Sequence, residues 1–238
     1  GLVGSEMCIR DSGCGMCAMP TDNDWLEIKP HAQDLLNMLT NAIFRTIPVG
    51  MDGYKTPQPW RAEASHKGFD YESRYSQLNR EIQKEARLKL GTLGGGNHFI
   101  ELQKDQDDRL WVMIHSGSRH AGKEIADFYI RLARQVSQQM GAGVPRDLSY
   151  LPTSADEGRA YLDDMTWALN YAYENRLQMM DRVLTIFKQV MGHFGLQLRY
   201  DPADLVNIHH NYAALEEHFG RRVWMHRKGA TLATRGLK

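Results

Sequence analysis

Three consecutive glycines at positions 94–96 lead directly into Asn97 and His98, which are followed by a short apolar segment. Successive glycines allow positive φ angles and let the backbone approach a bound ligand closely. Apolar residues at 99–102 and 110–114, joined by a polar turn, predict two strands. The chain is therefore expected to present an amide and an imidazole where a flexible loop enters a sheet.

The rest of the chain alternates helical patterns with short apolar segments. The spacing of apolar residues predicts four helices, over residues 24–45, 71–90, 122–140 and 154–194. Two further strands are expected at residues 205–208 and 223–226. These patterns predict a mixed α/β (α+β) fold, in which a mixed sheet core is packed by long flanking helices.

Composition limits the classes of protein to which the chain can belong. Its 238 residues carry equal numbers of basic and acidic side chains, so no global field attracts nucleic acid or an anionic membrane. No segment approaches the roughly 18 consecutive apolar residues of a membrane span. Cys8, Cys14 and Cys17 are too few and too clustered for a disulfide framework, so a reducing cytoplasm is expected.

Four potential metal ligands each lie where a loop meets a predicted strand: Cys14, His98, His115 and His210. Strand ends of one sheet converge, so residues distant in sequence can build one site there. A single such histidine is more often structural than a ligand, but four ligand-type residues together favour a metal site. A thiolate with imidazoles suits zinc on softness alone. The residues by themselves thus leave two alternatives open, a metal-dependent enzyme and a metal-stabilised domain.

The pair Cys14 and Cys17 has the Cys-x-x-Cys spacing of redox-active and zinc-binding motifs. No second cysteine pair occurs in the sequence, which excludes a four-cysteine zinc site within this chain. A buried cysteine in a turn is the simpler alternative.

Five sequence blocks resemble the signature blocks of the RtcB family of RNA-splicing ligases, and they occur in the family's order. They are Gly13-Cys14-Gly15-Met16, Leu93-Gly94-Gly95-Gly96-Asn97-His98-Phe99-Ile100-Glu101, His115-Ser116-Gly117-Ser118-Arg119, His209-His210-Asn211-Tyr212-Ala213 and Arg227-Lys228-Gly229-Ala230. The similarity extends from Gly13 to the end of the chain, and it implies an RtcB-like fold.

The resemblance implies a GTP- and manganese-dependent ligase. Such enzymes join RNA ends bearing a 3′-phosphate or 2′,3′-cyclic phosphate to 5′-hydroxyl ends, in tRNA splicing or RNA repair. The implied partners are RNA (tRNA halves or broken RNA ends) and GTP, with an activating protein as a further candidate. Two Mn²⁺ ions are implied, with Cys14 bridging both, His98 on one, His115 and His210 on the other, and Asp11 completing the ligand set.

The resemblance also implies contacts to the substrates. The residues expected to contact or line the guanine nucleotide are Asn97, His98, Phe99, Ile100, Glu101, His210 and Asn211. Arg119 is a candidate for RNA phosphate, because a guanidinium can bind two oxygens at once. A surface charge at the start of a helix is the alternative for Arg119.

The start of the sequence carries a separate expectation. Residues 2–11 resemble the translation of a transposon-end sequencing adapter, so residues 1–12 are expected to be a non-native tail, to which Asp11 belongs. Residues 13–238 are then expected to be the central part of a single RtcB-like catalytic domain, with its C-terminal part missing.

The end of the sequence bears on catalysis. The family's guanylylated histidine lies in a Ser-His-Gly-Ala-Gly-Arg block, which does not occur up to Lys238. The nucleophile is therefore expected to lie beyond Lys238, and no catalytic residue is expected within the chain. The polypeptide is accordingly expected to be an inactive fragment, and His226 to be structural.

Two other functions remain as alternatives. A metal-dependent phosphoesterase would need only the metal cluster and would hydrolyse phosphoesters without GTP. A non-catalytic relative would keep the fold and bind RNA or a nucleotide.

Overall fold

The computed structural model describes residues 13–61 and 68–232, together with the backbone of residues 2–3. Asp11 and Lys238 lie outside the described residues. The expectations about a non-native start, a single truncated domain and a nucleophile beyond Lys238 therefore stay predictions. Within the described residues the chain forms a mixed α/β structure with an antiparallel sheet, which confirms the predicted fold class.

Eight strands in the described part of the chain form three sheets. They are β1 (Leu2–Val3), β2 (Gly15–Asp24), β3 (Phe99–Lys104), β4 (Arg109–Ser116), β5 (Leu151–Pro152), β6 (Val206–His209), β7 (Asn211–His218) and β8 (Arg221–Lys228). The largest sheet has the order β3-β4-β2-β6, with every neighbouring pair antiparallel. The other two sheets are the pairs β1-β5 and β7-β8.

The sequence pattern did not predict β2, which is a central strand of the main sheet. Its sequence contains Pro20 and then polar residues, so it shows no strand alternation. Thr21 and Asn23 are nevertheless buried, because their side chains find hydrogen-bond partners. The Thr21 hydroxyl donates to the carbonyl of Leu110, and the Asn23 amide donates to the carbonyl of Gln197. Tertiary pairing therefore overrides the local propensity here.

The described residues also contain six α-helices, which flank the sheet. They are α1 (Trp25–Ile28), α2 (Ala32–Thr46), α3 (Ser76–Arg80), α4 (Ala86–Lys89), α5 (Arg119–Gln139) and α6 (Asp156–His193). The first predicted helix is divided by a 3₁₀ turn, Lys29–His31, which contains Pro30. Proline cannot donate the helical hydrogen bond, so the chain changes direction there. A π-helical segment, Glu81–Glu85, joins α3 to α4.

Helix α6 organises both hydrophobic cores. Its N-terminal half contributes Trp167 and Tyr171 to a first core with α5, and its C-terminal half contributes Met179 and Phe187 to a second core under the main sheet. Polar residues are also buried near the middle of the helix, where it passes the edge of the sheet. None of the helices in the described part of the chain is both long enough and apolar enough to cross a bilayer.

Candidate metal centre

The four predicted ligands meet at one edge of the main sheet. Cys14 precedes β2 and His98 precedes β3, whereas His115 lies near the end of β4 and His210 follows the end of β6. Because these neighbouring strands are antiparallel, the starts of β2 and β3 lie beside the ends of β4 and β6. The sheet topology thus brings residues that are far apart in the sequence into one cluster, which we call the ligand cluster.

The ligand atoms of this cluster are close together. The Sγ atom of Cys14 lies 3.1 Å from Nε2 of His115 and 3.6 Å from Nε2 of His98. Nε2 of His115 lies 3.1 Å from Nε2 of His210. The ligand atoms of Cys14, His115 and His210 all lie within 4.8 Å of one another. Donor atoms that share an ion at bond lengths of about 2.0–2.3 Å are separated by roughly 3–4 Å, so this spacing fits a metal.

Backbone carbonyls orient two of the imidazoles. Nδ1 of His98 lies 2.9 Å from the carbonyl oxygen of Leu93, and Nδ1 of His115 lies 2.8 Å from that of Asn97. A carbonyl can only accept, so each Nδ1 carries the proton and donates. In the neutral form of each ring, Nε2 then presents its lone pair to the cluster, which is the second-sphere arrangement typical of metal-binding histidines.

Only one cysteine of the Cys-x-x-Cys spacing belongs to the ligand cluster. Cys17 is completely buried in the second core, where burial raises the pKa of its thiol to about 12. A thiol in such surroundings is inert, because the thiolate is the reactive and metal-binding form. The two cysteines therefore have different roles, and the motif provides a single thiol to the site.

The glycine loop borders the cluster and an open cavity of about 500 Å³. Gly95, Gly96 and Asn97 are exposed there, and the cavity is also lined by His98 and three basic side chains, those of Lys89, Arg119 and Lys123. Gly94 has a φ of 95° and could not be replaced, since an added Cβ would collide with the guanidinium of Arg119. Only glycine allows the arginine this close to the loop.

Arg119 is engaged by the protein as well as lining the cavity. Its Nε donates to the hydroxyl of Thr92 and its Nη2 donates to the carbonyl of Gly50, at 3.0 and 2.9 Å. Burial lowers the pKa of this guanidinium. Arg119 begins α5 with a φ of 57°, so its backbone is in the left-handed region. Its assignment to RNA phosphate stays a prediction.

The residues expected to line a nucleotide pocket lie in different surroundings. The ring of Phe99 lies 5.4 Å from that of His115, centroid to centroid, and so adjoins the cluster. Ile100 packs against the second core, whereas Glu101 is exposed and accepts a hydrogen bond from Gln103.

Asn211 is buried, and its side chain links two of the signature blocks. Its Oδ1 accepts from the backbone N–H of Gly229 at 2.8 Å. The side chain thereby joins the block that contains His210 to the block that contains Gly229. Contacts of all these residues to a guanine nucleotide stay a prediction.

His226 forms no hydrogen bond with Cys14, His98, His115 or His210 within the described residues. Both of its ring nitrogens are buried without a hydrogen-bond partner in the described part of the chain, and burial lowers the pKa of the imidazole. It lies in β8, opposite Ala213 of β7.

The sequence patterns did not indicate Arg176, whose buried side chain supports the ligand cluster. Arg176 is completely buried in the middle of α6. Its guanidinium donates to the carbonyls of Gly13 and Ser116, at 2.8 and 3.0 Å, and lies 3.2 Å from Nδ1 of His209. These three partners immediately adjoin Cys14, His115 and His210 in the chain. One side chain thus fixes the backbone or neighbour of three ligands.

The charge of Arg176 persists despite its burial. Burial lowers the pKa of its guanidinium to about 10, which still leaves it protonated at neutral pH. Nε also donates to Oδ1 of Asn207, at 2.7 Å. Burial and the positive charge of Arg176 together lower the pKa of His209 to about 4, so His209 is neutral and accepts from the guanidinium.

Asn175, beside Arg176, supports the glycine loop in a similar way. Its Oδ1 accepts from the backbone N–H groups of Gly91 and Thr92, and its amide donates to the carbonyl of Thr92 and the hydroxyl of Ser116. An Asn-Arg pair inside a helical pattern resembles exposed surface in the sequence. The only sign in the sequence that this pair is buried was its position within a helix that is otherwise apolar on most sides.

The fold and the cluster together define a candidate metal-dependent protein, with one thiol and three imidazoles at the edge of an antiparallel sheet. A family model described as tRNA-splicing ligase RtcB matches residues 1–237. The chain therefore belongs to the RtcB family, as its signature blocks predicted.

Curated relatives agree with this assignment. RNA-splicing ligase RtcB1 from a strain of Escherichia coli is 33% identical over 236 residues, which cover 95% of this chain and 57% of that protein. RNA-splicing ligase RtcB of Escherichia coli K12 is 32% identical with the same coverage. The tRNA-splicing ligase RtcB of Pyrobaculum aerophilum is 30% identical over 273 residues, covering 94% of this chain and 54% of that protein. The chain thus spans little more than half the length of these relatives.

Proposed function

We propose that this chain forms the metal-binding part of a GTP- and manganese-dependent RNA ligase. The proposed substrates are RNA ends with a 3′-phosphate or 2′,3′-cyclic phosphate and RNA ends with a 5′-hydroxyl. The observation that carries the proposal is the convergence of Cys14, His98, His115 and His210 in a chain that the RtcB family model matches almost throughout.

The donor set fits a pair of divalent ions. Sγ of Cys14 lies 3.6 Å from Nε2 of His98 and 3.1 Å from Nε2 of His115. A thiolate in that position can bridge two ions and compensate part of their charge. Manganese would neutralise phosphate charge and lower the pKa of an attacking hydroxyl when bound there. Soft donors favour zinc, so a preference for manganese would depend on open coordination positions and on metal supply.

The chain's own residues would bind the substrates around these ions. Lys89, Arg119 and Lys123 line the cavity beside His98 and give it the positive charge that suits phosphate groups. The exposed loop from Gly95 to Asn97 offers a close backbone approach to a nucleotide. Because Cys14 must stay reduced to serve as a ligand, we also propose a reducing compartment, such as the cytoplasm.

The ligand cluster predicts that the purified polypeptide binds manganese. Titration followed by electron paramagnetic resonance should show loss of the free-ion signal on addition of the protein. The expected stoichiometry approaches two ions per chain, and Cys14→Ser should reduce it because both ions would lose a shared ligand. A signal that the protein leaves unchanged would contradict the proposed function.

The polypeptide should form no covalent adduct with GTP. The Ser-His-Gly-Ala-Gly-Arg block that carries the family's guanylylated histidine does not occur between Gly1 and Lys238. Incubation with manganese and GTP labelled in the α-phosphate should leave no label on the denatured protein. GTP labelled in the γ-phosphate is the control for other labelling. An α-label that survives denaturation would show this expectation to be wrong.

The alternative function, that of a phosphoesterase, can be distinguished from a ligase by experiment. It would open an RNA 2′,3′-cyclic phosphate with manganese alone, whereas the proposed ligase role predicts an unchanged RNA end when GTP is omitted. Gel separation of the two RNA forms decides between these outcomes.

A further inference from the structure

Strands β7 and β8 form a two-stranded ribbon, residues 211–228, that has no hydrogen-bonded neighbour in the main sheet as far as the described residues extend. The strands pair without a register shift, from Asn211 opposite Lys228 to His218 opposite Arg221. Ala213 and Trp224 lie on one face of the ribbon and pack towards the first core. The turn formed by residues 219–220 is the tip of the ribbon.

The base of the ribbon is attached to the ligand cluster. The backbone N–H of His210 donates to the carbonyl of Cys14, and that of Ala230 donates to the carbonyl of His210, at 2.9 and 3.1 Å. Gly229 is also held by Asn211, as described above. Eight residues per strand, rising about 3.3 Å each, place the tip roughly 25 Å along the ribbon from this base. A polymer bound at the cluster could therefore extend to the tip.

The tip has a conformation that its sequence does not favour. Phe219 and Gly220 have φ angles of 53° and 70°, which define a two-residue turn of type I′. Asn-Gly is the preferred sequence of such a turn, and a bulky residue with positive φ is strained. The side chain of Phe219 is fully exposed and makes no ring contact with a described residue. The phenyl group therefore packs against no other ring or core residue of the described structure.

Two basic residues follow the tip in the sequence. Arg221 and Arg222 follow the tip, are exposed, and form no ion pair within the described residues. Glu216 is engaged by Arg227, and Glu217, which lies opposite Arg222 in the register, forms no ion pair with it within the described residues. No acidic residue follows Glu217 in the sequence. The tip thus combines an exposed aromatic ring with two exposed guanidinium groups.

We propose that the ribbon tip binds single-stranded RNA, with Phe219 stacked on a base and Arg221 and Arg222 next to phosphates. Aromatic stacking combined with basic side chains is the usual means of binding single strands without sequence preference. The proposal rests on the proposed function, since RNA is the polymer expected at the cluster. The tip would hold the strand whose end lies at the metal centre.

Replacing the phenyl group tests the stacking contact. The probe is a fluorescein-labelled 12-nucleotide oligouridylate with a 3′-hydroxyl, and binding by the full chain is measured by anisotropy in EDTA. F219N should lower the affinity about tenfold, because the stacking contact with one base is lost, whereas F219W should stay within twofold. F219N should also raise the melting temperature, since Asn-Gly suits the turn. A lower affinity therefore cannot be attributed to unfolding.

A matched site on another face serves as the control. Phe44 and Arg45 form an adjacent pair of exposed residues on α2. F44A and R45Q should each leave the affinity within twofold of wild type. The double variant R221Q/R222Q should reduce the slope of log affinity against log salt by about 1.4, which corresponds to two phosphate contacts on a single strand.

Three outcomes would overturn the proposal. One is wild-type affinity of F219N, and another is an equal loss of affinity in F44A. The third is concentration-dependent self-association in sedimentation that F219N abolishes, because the phenyl group would then serve a protein contact. The manganese titration is independent of these measurements, since the probe is bound in EDTA. Failure of the proposed function and failure of the ribbon proposal can therefore be told apart.

Discussion

Replacing His115 with alanine should weaken manganese binding by at least a hundredfold. Nε2 of His115 lies 3.1 Å from Sγ of Cys14 and 3.1 Å from Nε2 of His210, so it is central to the cluster. Its removal deletes one ligand and separates the remaining ones. Changes to residues that merely orient a ligand already cost about 10–100-fold in metal affinity, and loss of the ligand should cost more.

The measurement is a manganese titration followed by electron paramagnetic resonance, with wild type and variant at equal concentration. His193→Ala is the matched control, because His193 is exposed at the end of α6 and contacts Phe194 rather than the cluster. The control should bind manganese within threefold of wild type. The assignment of His115 would be wrong if H115A, still folded by circular dichroism, kept wild-type affinity.

Replacing Arg176 with methionine should have the largest effect on stability. Methionine is apolar and cannot donate, so the carbonyls of Gly13 and Ser116 would lose a hydrogen-bond donor inside the protein. Each buried polar group left unpaired costs about 1–3 kcal/mol. With two such carbonyls, we expect the free energy of unfolding to fall by about 3 kcal/mol or more. Measuring it in EDTA excludes any contribution from bound metal.

The same substitution should also weaken manganese binding about tenfold or more, at a temperature where the variant is folded. Arg176 should affect manganese binding because it fixes the residues that adjoin Cys14, His115 and His210 in the chain.

Arg182→Met is the matched control for this substitution, further along α6. Arg182 donates to Gln58 and to the carbonyl of Gly91, and neither of these partners is a predicted ligand or adjoins one in the chain. R182M should have a lower free energy of unfolding than wild type but the same manganese affinity. Equal manganese affinities of R176M and wild type would contradict a positioning role for Arg176.

The convergence of Cys14, His98, His115 and His210 could be predicted because each residue lies at or next to the end of a strand. His98 precedes one apolar segment of clear strand character, and His115 lies near the end of another. In an antiparallel sheet the start of one strand lies beside the end of its neighbour. Cys14 was grouped with the histidines from its residue type, and a bridging role for it was implied only by the resemblance to a signature block. Its own strand, β2, was missed because buried Thr21 and Asn23 are satisfied by hydrogen bonds that only the tertiary structure provides.

The buried position of Arg176 next to the ligand cluster could not be predicted from local sequence patterns. An arginine in a helical segment is normally exposed, so nothing near Arg176 indicates complete burial. Its burial depends on the carbonyls of Gly13 and Ser116, which come from distant segments of the chain. The ribbon was predicted only in part, as a strand near Val223. Strand β7 escaped detection because its charged glutamates obscure the alternation of its residues.

The central claim is that Cys14, His98, His115 and His210 bind manganese. Anomalous diffraction from manganese-soaked crystals of the polypeptide, recorded near the manganese absorption edge, tests it most directly. Anomalous density is expected within about 2.5 Å of Sγ of Cys14 and of the histidine Nε2 atoms. Anomalous peaks confined to surface carboxylates, with none in the ligand cluster, would contradict it.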